Sequence, residues 1–83
     1  MPSNMKRIQF ELPEEKVAEL ERLMDESGIK TRKDLLNNAL MLLEMAIKER
    51  KEGRTLVSVD EKKNRFKEVL MPILSSIQPV TKQ

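Results

Sequence analysis

The residue types that could do chemistry in this chain are carboxylates, cations and amides, because its 83 residues include no Cys and no His. Thiol catalysis, histidine catalysis and zinc sites are therefore excluded. Glu14 and Glu15 are adjacent, and neighbours in sequence do not face each other on a helix, so they do not form an acid–base pair. No nucleophile–base pair and no phosphate-cradling Gly loop is present. The sequence predicts a protein that is not an enzyme and has no cofactor.

The stretch with the clearest binding chemistry is residues 6–12, where polar and apolar side chains alternate from Arg7 to Leu12. Period two predicts a half-buried β-strand. Its two faces carry Ile8, Phe10 and Leu12 on one side, and Arg7, Gln9 and Glu11 on the other. A lone strand cannot stand in water with both edges unpaired. Because no second strand of comparable quality lies nearby, we expect the same strand of a second chain to complete a two-stranded ribbon.

Length and composition bound the remaining possibilities. A single domain of 83 residues without disulfide or metal buries little surface, which leaves oligomerisation as its means of stabilisation. The net charge of +2 is too small to indicate nucleic-acid binding by itself, and the presence of only two aromatic residues argues against a base-stacking surface for single-stranded nucleic acid. No apolar run approaches the roughly 20 residues of a membrane span, and no signal peptide is visible. We expect a soluble cytoplasmic protein without a membrane partner.

Two helices follow the predicted strand. The first spans residues 13–27, with Pro13 at its first position and Gly28 as a left-handed C-cap. The second begins after Thr31, a good N-cap residue, and runs to about Glu52, with Gly53 as its stop signal.

Apolar residues occupy most of the circumference of the second helix, so it must be buried on several sides. One amphipathic neighbour in so short a monomer cannot bury it, whereas the first helix, the strand and a symmetry mate together can. This pattern predicts a homodimer independently of the strand. The expected dimer core is Ile8, Phe10, Leu12, Leu36, Leu40, Leu43 and Ile47.

The pattern is weaker at both ends of the chain. Residues 1–5 read as a flexible arm, residues 54–77 as a C-terminal extension after the main domain of residues 6–53, and residues 78–83 as a tail. In the extension we expect a short strand or extended segment over 54–59. Asp60 would then cap a third helix holding Phe66, Val69 and Leu70, and Pro72 would kink or end it. The basic run of residues 62–67 is predicted to be a solvated helix face, with a second DNA contact as the less favoured alternative.

Strand, helix, Gly turn and helix in this order resemble the ribbon-helix-helix family of bacterial and archaeal DNA-binding proteins, the Arc/MetJ-like group. The residues that carry the resemblance are 6–15, Leu20, Leu23, Gly28, Ile29 and 31–40. The fold class implied is mainly α with one short N-terminal β-strand, in an intertwined homodimer with a shared antiparallel ribbon.

The resemblance also implies a mechanism, in which the ribbon enters the major groove of double-stranded DNA. Carried over by position, the base-contacting residues are Arg7, Gln9 and Glu11. The residues implied to contact backbone phosphates are Lys6, Thr31, Arg32 and Lys33. Glu11 departs from the family pattern, where a basic or neutral residue is commoner; it either accepts from cytosine or pairs with Arg7 or Lys6 across the ribbon.

Several alternatives remain open beside sequence-specific transcriptional regulation. The chain could be the antitoxin of a toxin–antitoxin pair, with residues 54–77 binding the partner protein. It could be a dimeric adaptor that never touches DNA, which the low net charge and Glu11 favour. The C-terminal extension could also join two dimers into a tetramer on DNA.

Overall fold

The computed structural model describes residues 4–80, which form three helices and one two-stranded antiparallel sheet and are mainly helical. The chain divides into two compact units, Met1–Leu35 and Leu36–Gln83. In chain order the elements are α1 (Glu14–Ser27), α2 (Arg32–Lys51), β1 (Val57–Asp60), β2 (Arg65–Glu68) and α3 (Pro72–Ser75). No helix among the described residues is long and apolar enough to cross a membrane.

The first helix, α1, lies one residue inside its predicted start. Pro13 is the N-cap residue, and its carbonyl oxygen accepts hydrogen bonds from the N–H groups of Lys16 at 2.9 Å and Val17 at 3.1 Å. Gly28 ends the helix in the left-handed conformation, with φ of 77°. The N–H of Gly28 donates to the carbonyl of Asp25 at 3.3 Å, and the N–H of Ile29 donates to the carbonyl of Met24 at 3.0 Å. These two bonds form the Schellman arrangement. The predicted end of this helix is therefore confirmed.

The second helix, α2, ends in the same way. Gly53 has φ of 81°, its N–H donates to the carbonyl of Arg50, and the N–H of Arg54 donates to the carbonyl of Glu49, both at 3.0 Å. The Arg54 guanidinium also donates to the Glu49 carboxylate. This hydrogen bond lowers the pKa of Glu49 below its ordinary value. Gly53 as the stop signal is confirmed, with the helix ending at Lys51 instead of Glu52.

No helix or strand forms over residues 4–13 of the single chain, where the sequence predicts a strand over residues 6–12. A β-ladder exists only between two strands, because it consists of hydrogen bonds from one backbone to another. The shared ribbon requires a second chain, so it stays a prediction.

The prediction of a third helix after Asp60 is wrong, because this part of the chain is a β-hairpin. β1 and β2 pair in antiparallel register, with Val59 opposite Phe66 and Asp60 opposite Arg65. The Asp60 carboxylate caps the turn by accepting the N–H of Lys63 at 3.3 Å, and Asn64 takes a left-handed φ of 53°. Asn tolerates this conformation better than most residues do, which favours a turn over a continuing helix. The basic run of residues 62–67 is consequently a turn and a strand, and not a helix face.

A short helix, α3, does occur, but later in the chain than expected. Pro72 starts it, where the sequence predicts that this proline would kink or end a helix. Its missing N–H has no consequence at a first helical position. Leu74 of α3 is one of two buried side chains among residues 4–80, the other being Ala46 of α2. The N–H of Val80 donates to the carbonyl of Lys51 at 2.7 Å, while the rest of the predicted tail, 81–83, and residues 1–3 of the predicted arm lie outside the described residues.

The left-handed cap at Gly28 generates a stability prediction. An added Cβ would meet no atom within 4 Å, so the cost of Gly28→Ala comes from the backbone conformation alone. We expect a loss of about 1–2 kcal/mol in the free energy of unfolding, measured by urea denaturation at one fixed protein concentration. Gly28→Asn should lose less, because Asn visits this conformation more readily. Equal stability of the Ala variant and the native chain would contradict this account.

Candidate nucleic-acid interface

The residues predicted to contact DNA bases lie in the segment before α1. Lys6, Arg7, Gln9 and Glu11 are all exposed. Within residues 4–80 their side chains make no hydrogen bond or ion pair, so their donors and acceptors are available to a ligand. The apolar residues of the alternating pattern are exposed as well, with Ile8 at 72% and Phe10 at 71% of their full accessible surface. A single chain therefore covers neither face of this segment.

The residues predicted to contact phosphates lie at the start of α2. Thr31 Oγ1 accepts the N–H of Asp34 at 3.0 Å, which confirms Thr31 as the capping residue. The N–H groups of Arg32 and Lys33 precede the first intrahelical bond, which joins the N–H of Leu35 to the carbonyl of Thr31 at 3.1 Å. Unpaired N–H groups at a helix N-terminus, together with the helix dipole, favour an anion. The exposed side chains of Arg32 and Lys33 add two positive charges to the same turn.

The proposed base-contacting and phosphate-contacting residues belong to one compact unit, Met1–Leu35. No hydrogen bond or ion pair among the described residues joins the two groups. The structure thus places them in the same unit as separate sets of exposed polar groups. Their use on one DNA duplex remains a prediction.

The predicted dimer core is largely uncovered in the single chain. On α2, Leu40 exposes 51% of its surface and Leu36 is also exposed, whereas Leu43 and Ile47 are half-buried. Sequence reasoning left three further exposed residues of α2 out of this core, namely Met41, Leu42 and Met45. The sequence does indicate these three residues, because apolar residues occupy most of the circumference of the helix. The predicted core followed a single stripe of the helix and therefore left them out.

The second unit contains a small depression. It has a volume of about 130 Å³, and its lining includes the apolar residues Ala46, Leu56 and Leu74. Arg50, Arg54 and Glu68 supply charges at its lining, and the Arg54 guanidinium is already engaged by Glu49. No group of carboxylates suited to a metal ion occurs among residues 4–80. The depression is smaller than the roughly 300–1,000 Å³ that is typical of small-molecule sites.

Comparison with known proteins identifies no relative: no family model, no curated protein and no solved structure matches the chain. The exposed polar groups described above are therefore the basis for any assignment of function.

The cap at the start of α2 can be tested separately from DNA binding. Thr31→Ala removes the acceptor for the Asp34 N–H and should lower the free energy of unfolding by about 1 kcal/mol. Thr31→Ser keeps the hydroxyl and should retain most of that stability. Urea unfolding of both variants at matched protein concentration measures the difference. A serine variant as unstable as the alanine variant would show that the hydroxyl is not the stabilising group.

Proposed function

We propose that this chain is a sequence-specific regulator of transcription that binds double-stranded DNA as an intertwined, ribbon-helix-helix homodimer. The observation that carries the proposal is the segment of residues 6–12. Its polar and apolar side chains alternate, yet both sets are exposed and its backbone has no ladder partner in the single chain. A second copy of the segment would supply the missing hydrogen bonds and separate the two sets of side chains onto opposite faces.

The exposed apolar surface supports the homodimer. Only Ala46 and Leu74 are buried among residues 4–80, and such a small core does not stabilise a chain of this length. Apolar surface removed from water contributes about 25 cal/mol per Å². Pairing Ile8, Phe10 and Leu40 with their symmetry mates would supply that contribution without any further component.

The exposed polar surface supports DNA as the ligand. In a two-stranded ribbon Arg7, Gln9 and Glu11 would appear twice on one face, and the major groove admits such a ribbon. Arg donates two hydrogen bonds to guanine, Gln pairs with adenine, and Glu accepts from cytosine. The start of α2 would hold a backbone phosphate with the N–H groups and side chains of Arg32 and Lys33. Lys6, at the start of the ribbon segment, would add a further phosphate contact.

Glu11 is the residue that fits this docking least well, because an unpaired acid near phosphates is repelled. No cation lies within ion-pair distance of it among the described residues. In the dimer we assign it either to cytosine or to Arg7 or Lys6 of the opposite strand.

The homodimer generates a prediction about mass and folding. Leu40→Lys places a charge in the proposed interface, so we expect the variant to lose the dimer and most of its cooperative unfolding. Light scattering during size exclusion should give twice the 9.7 kDa chain mass for the native protein and lower mass for the variant. Glu21→Gln changes the net charge by the same amount at an exposed position of α1 and should remain dimeric. A native protein that is monomeric and stably folded would refute the dimer.

The docking generates a second prediction, which separates base contacts from phosphate contacts. The operator is first obtained by retaining random-sequence duplexes on the purified protein and sequencing them. Arg7→Ala should then lower the binding free energy that discriminates between bases by about 1–3 kcal/mol at particular base pairs. Lys33→Ala should lower the affinity for all DNA sequences alike. It should also reduce the slope of log affinity against log salt concentration by about 0.9 for each phosphate that is no longer neutralised. Unchanged operator affinity in both variants would refute the proposed docking.

A second candidate function is that of an antitoxin whose C-terminal segment binds another protein. The observation that favours it is the exposed apolar face of the hairpin, where Phe66 is 76% and Val59 62% exposed. Against it, residues 57–75 include a hairpin and a helix of their own, and Leu74 of that helix is buried within the chain. Co-purification of a second small protein from the native source would favour the antitoxin. The adaptor that does not bind DNA would be favoured by an absence of DNA retention at low salt.

A further inference from the structure

We infer that the C-terminal hairpin is a second DNA contact, which binds backbone phosphates through the hairpin cations Lys62, Lys63, Arg65 and Lys67. This inference rests on the proposed DNA-binding function and extends it to a part of the chain outside the ribbon and the start of α2. Three properties of the hairpin carry it: the separation of its two faces, the absence of ion pairs, and the spacing of its charges.

The hairpin places its two strand cations on one face and its apolar side chains on the other. Residues paired across an antiparallel ladder share a face, and successive residues of a strand alternate between faces. The register therefore places Arg65 and Lys67 on one face with Ser58 and Asp60. The other face carries Val57, Val59, Phe66 and Glu68. Had this stretch been a helix, its cations would have been spread around the axis instead of gathered on one side.

The hairpin cations are not neutralised within the protein. All four are exposed, and none has an ion-pair partner among residues 4–80. Asp60, the acid nearest in register, uses a carboxylate oxygen to accept the backbone N–H of Lys63. Glu61 lies in the turn, and Glu68 lies on the opposite face. The polar face and the turn therefore carry a net positive charge, since their four cations outnumber the two carboxylates of Asp60 and Glu61.

The spacing of these charges suits a duplex backbone. Arg65 and Lys67 are two residues apart on a strand, which separates them by about 6.6 Å. Neighbouring phosphates of one DNA strand rise about 3.4 Å along the helix axis and are also rotated around it, so the distance between them exceeds this rise and is comparable with the spacing of the two cations. Phe66, the one aromatic residue of the hairpin, lies on the opposite face and cannot stack on bases beside these cations. A stacked single strand is therefore excluded in favour of the duplex backbone.

Two neutralised variants of the full-length protein test this contact, Lys62→Gln with Lys63→Gln and Arg65→Gln with Lys67→Gln. The matched control is Lys48→Gln with Lys51→Gln, which removes the same charge from the exposed end of α2 in the same unit. The measurement is the dissociation constant for a random-sequence duplex, by fluorescence anisotropy, over a series of salt concentrations. Unfolding curves of each variant check that the fold is retained.

We expect each hairpin variant to flatten the slope of log affinity against log salt by about 0.9 for every phosphate that the variant no longer neutralises. The affinities for the operator and for the random duplex should fall by the same factor, because phosphate contacts carry no sequence information. The control pair should keep the native slope.

If both hairpin variants keep the native salt slope while Lys33→Ala flattens it, the hairpin contact is overturned and the proposed function still stands. An equal change in the control pair would also overturn it, because net charge alone would then explain the effect. A native protein that binds no duplex even at low salt would overturn both the contact and the proposed function.

Discussion

The constraint on which the rest of this structure depends is the small apolar core of the single chain. Ala46 and Leu74 are the buried side chains of residues 4–80, whereas most large apolar residues of α2 and of the segment before α1 are exposed. Removing this apolar surface from water is energetically favourable, so the chain favours any arrangement that covers the surface. A second copy is the simplest source of complementary surface, since it brings the same unpaired segment and the same apolar helix. Our proposal of a homodimer follows from this requirement.

The same requirement connects the proposed dimer to the proposed DNA binding. The segment of residues 6–12 alternates apolar and polar side chains, so covering the apolar set would leave the polar set outermost. Hydrogen-bonding side chains on a narrow ribbon are suited to reading base edges in a groove. The exposed N–H groups and cations at the start of α2 are suited to phosphates, which position a protein without reading sequence. Dimerisation and recognition would then depend on one strand.

The hairpin of the second unit shows how local turn chemistry changes the use of a charged run. In the sequence, residues 62–67 look like an ordinary solvated face, because four cations lie among six residues. The turn capped by Asp60 reverses the chain, so residues 65–68 form a strand instead of the predicted helix. Side chains therefore alternate between two faces every residue and do not follow the helical repeat of 3.6 residues. Arg65 and Lys67 thereby share a face, and Phe66 is turned away from them. A run that the sequence predicts to be a solvated helix face is therefore part of a hairpin with two distinct faces.

The sequence by itself determined the elements whose signals are local. Gly28 and Gly53 end helices because glycine, which has no Cβ, adopts a left-handed φ without steric cost. Thr31 begins a helix because its hydroxyl accepts an N–H that the helix leaves free. The tertiary structure alone decided the C-terminal part. There, Phe66, Val69 and Leu70 suited a helical spacing, but pairing of Val59 with Phe66 across the hairpin prevailed. Strand pairing depends on a second segment brought close in space, so it cannot be read from the spacing of one segment. The ribbon of residues 6–12 depends on a partner strand in the same way, and for it that strand would belong to another chain.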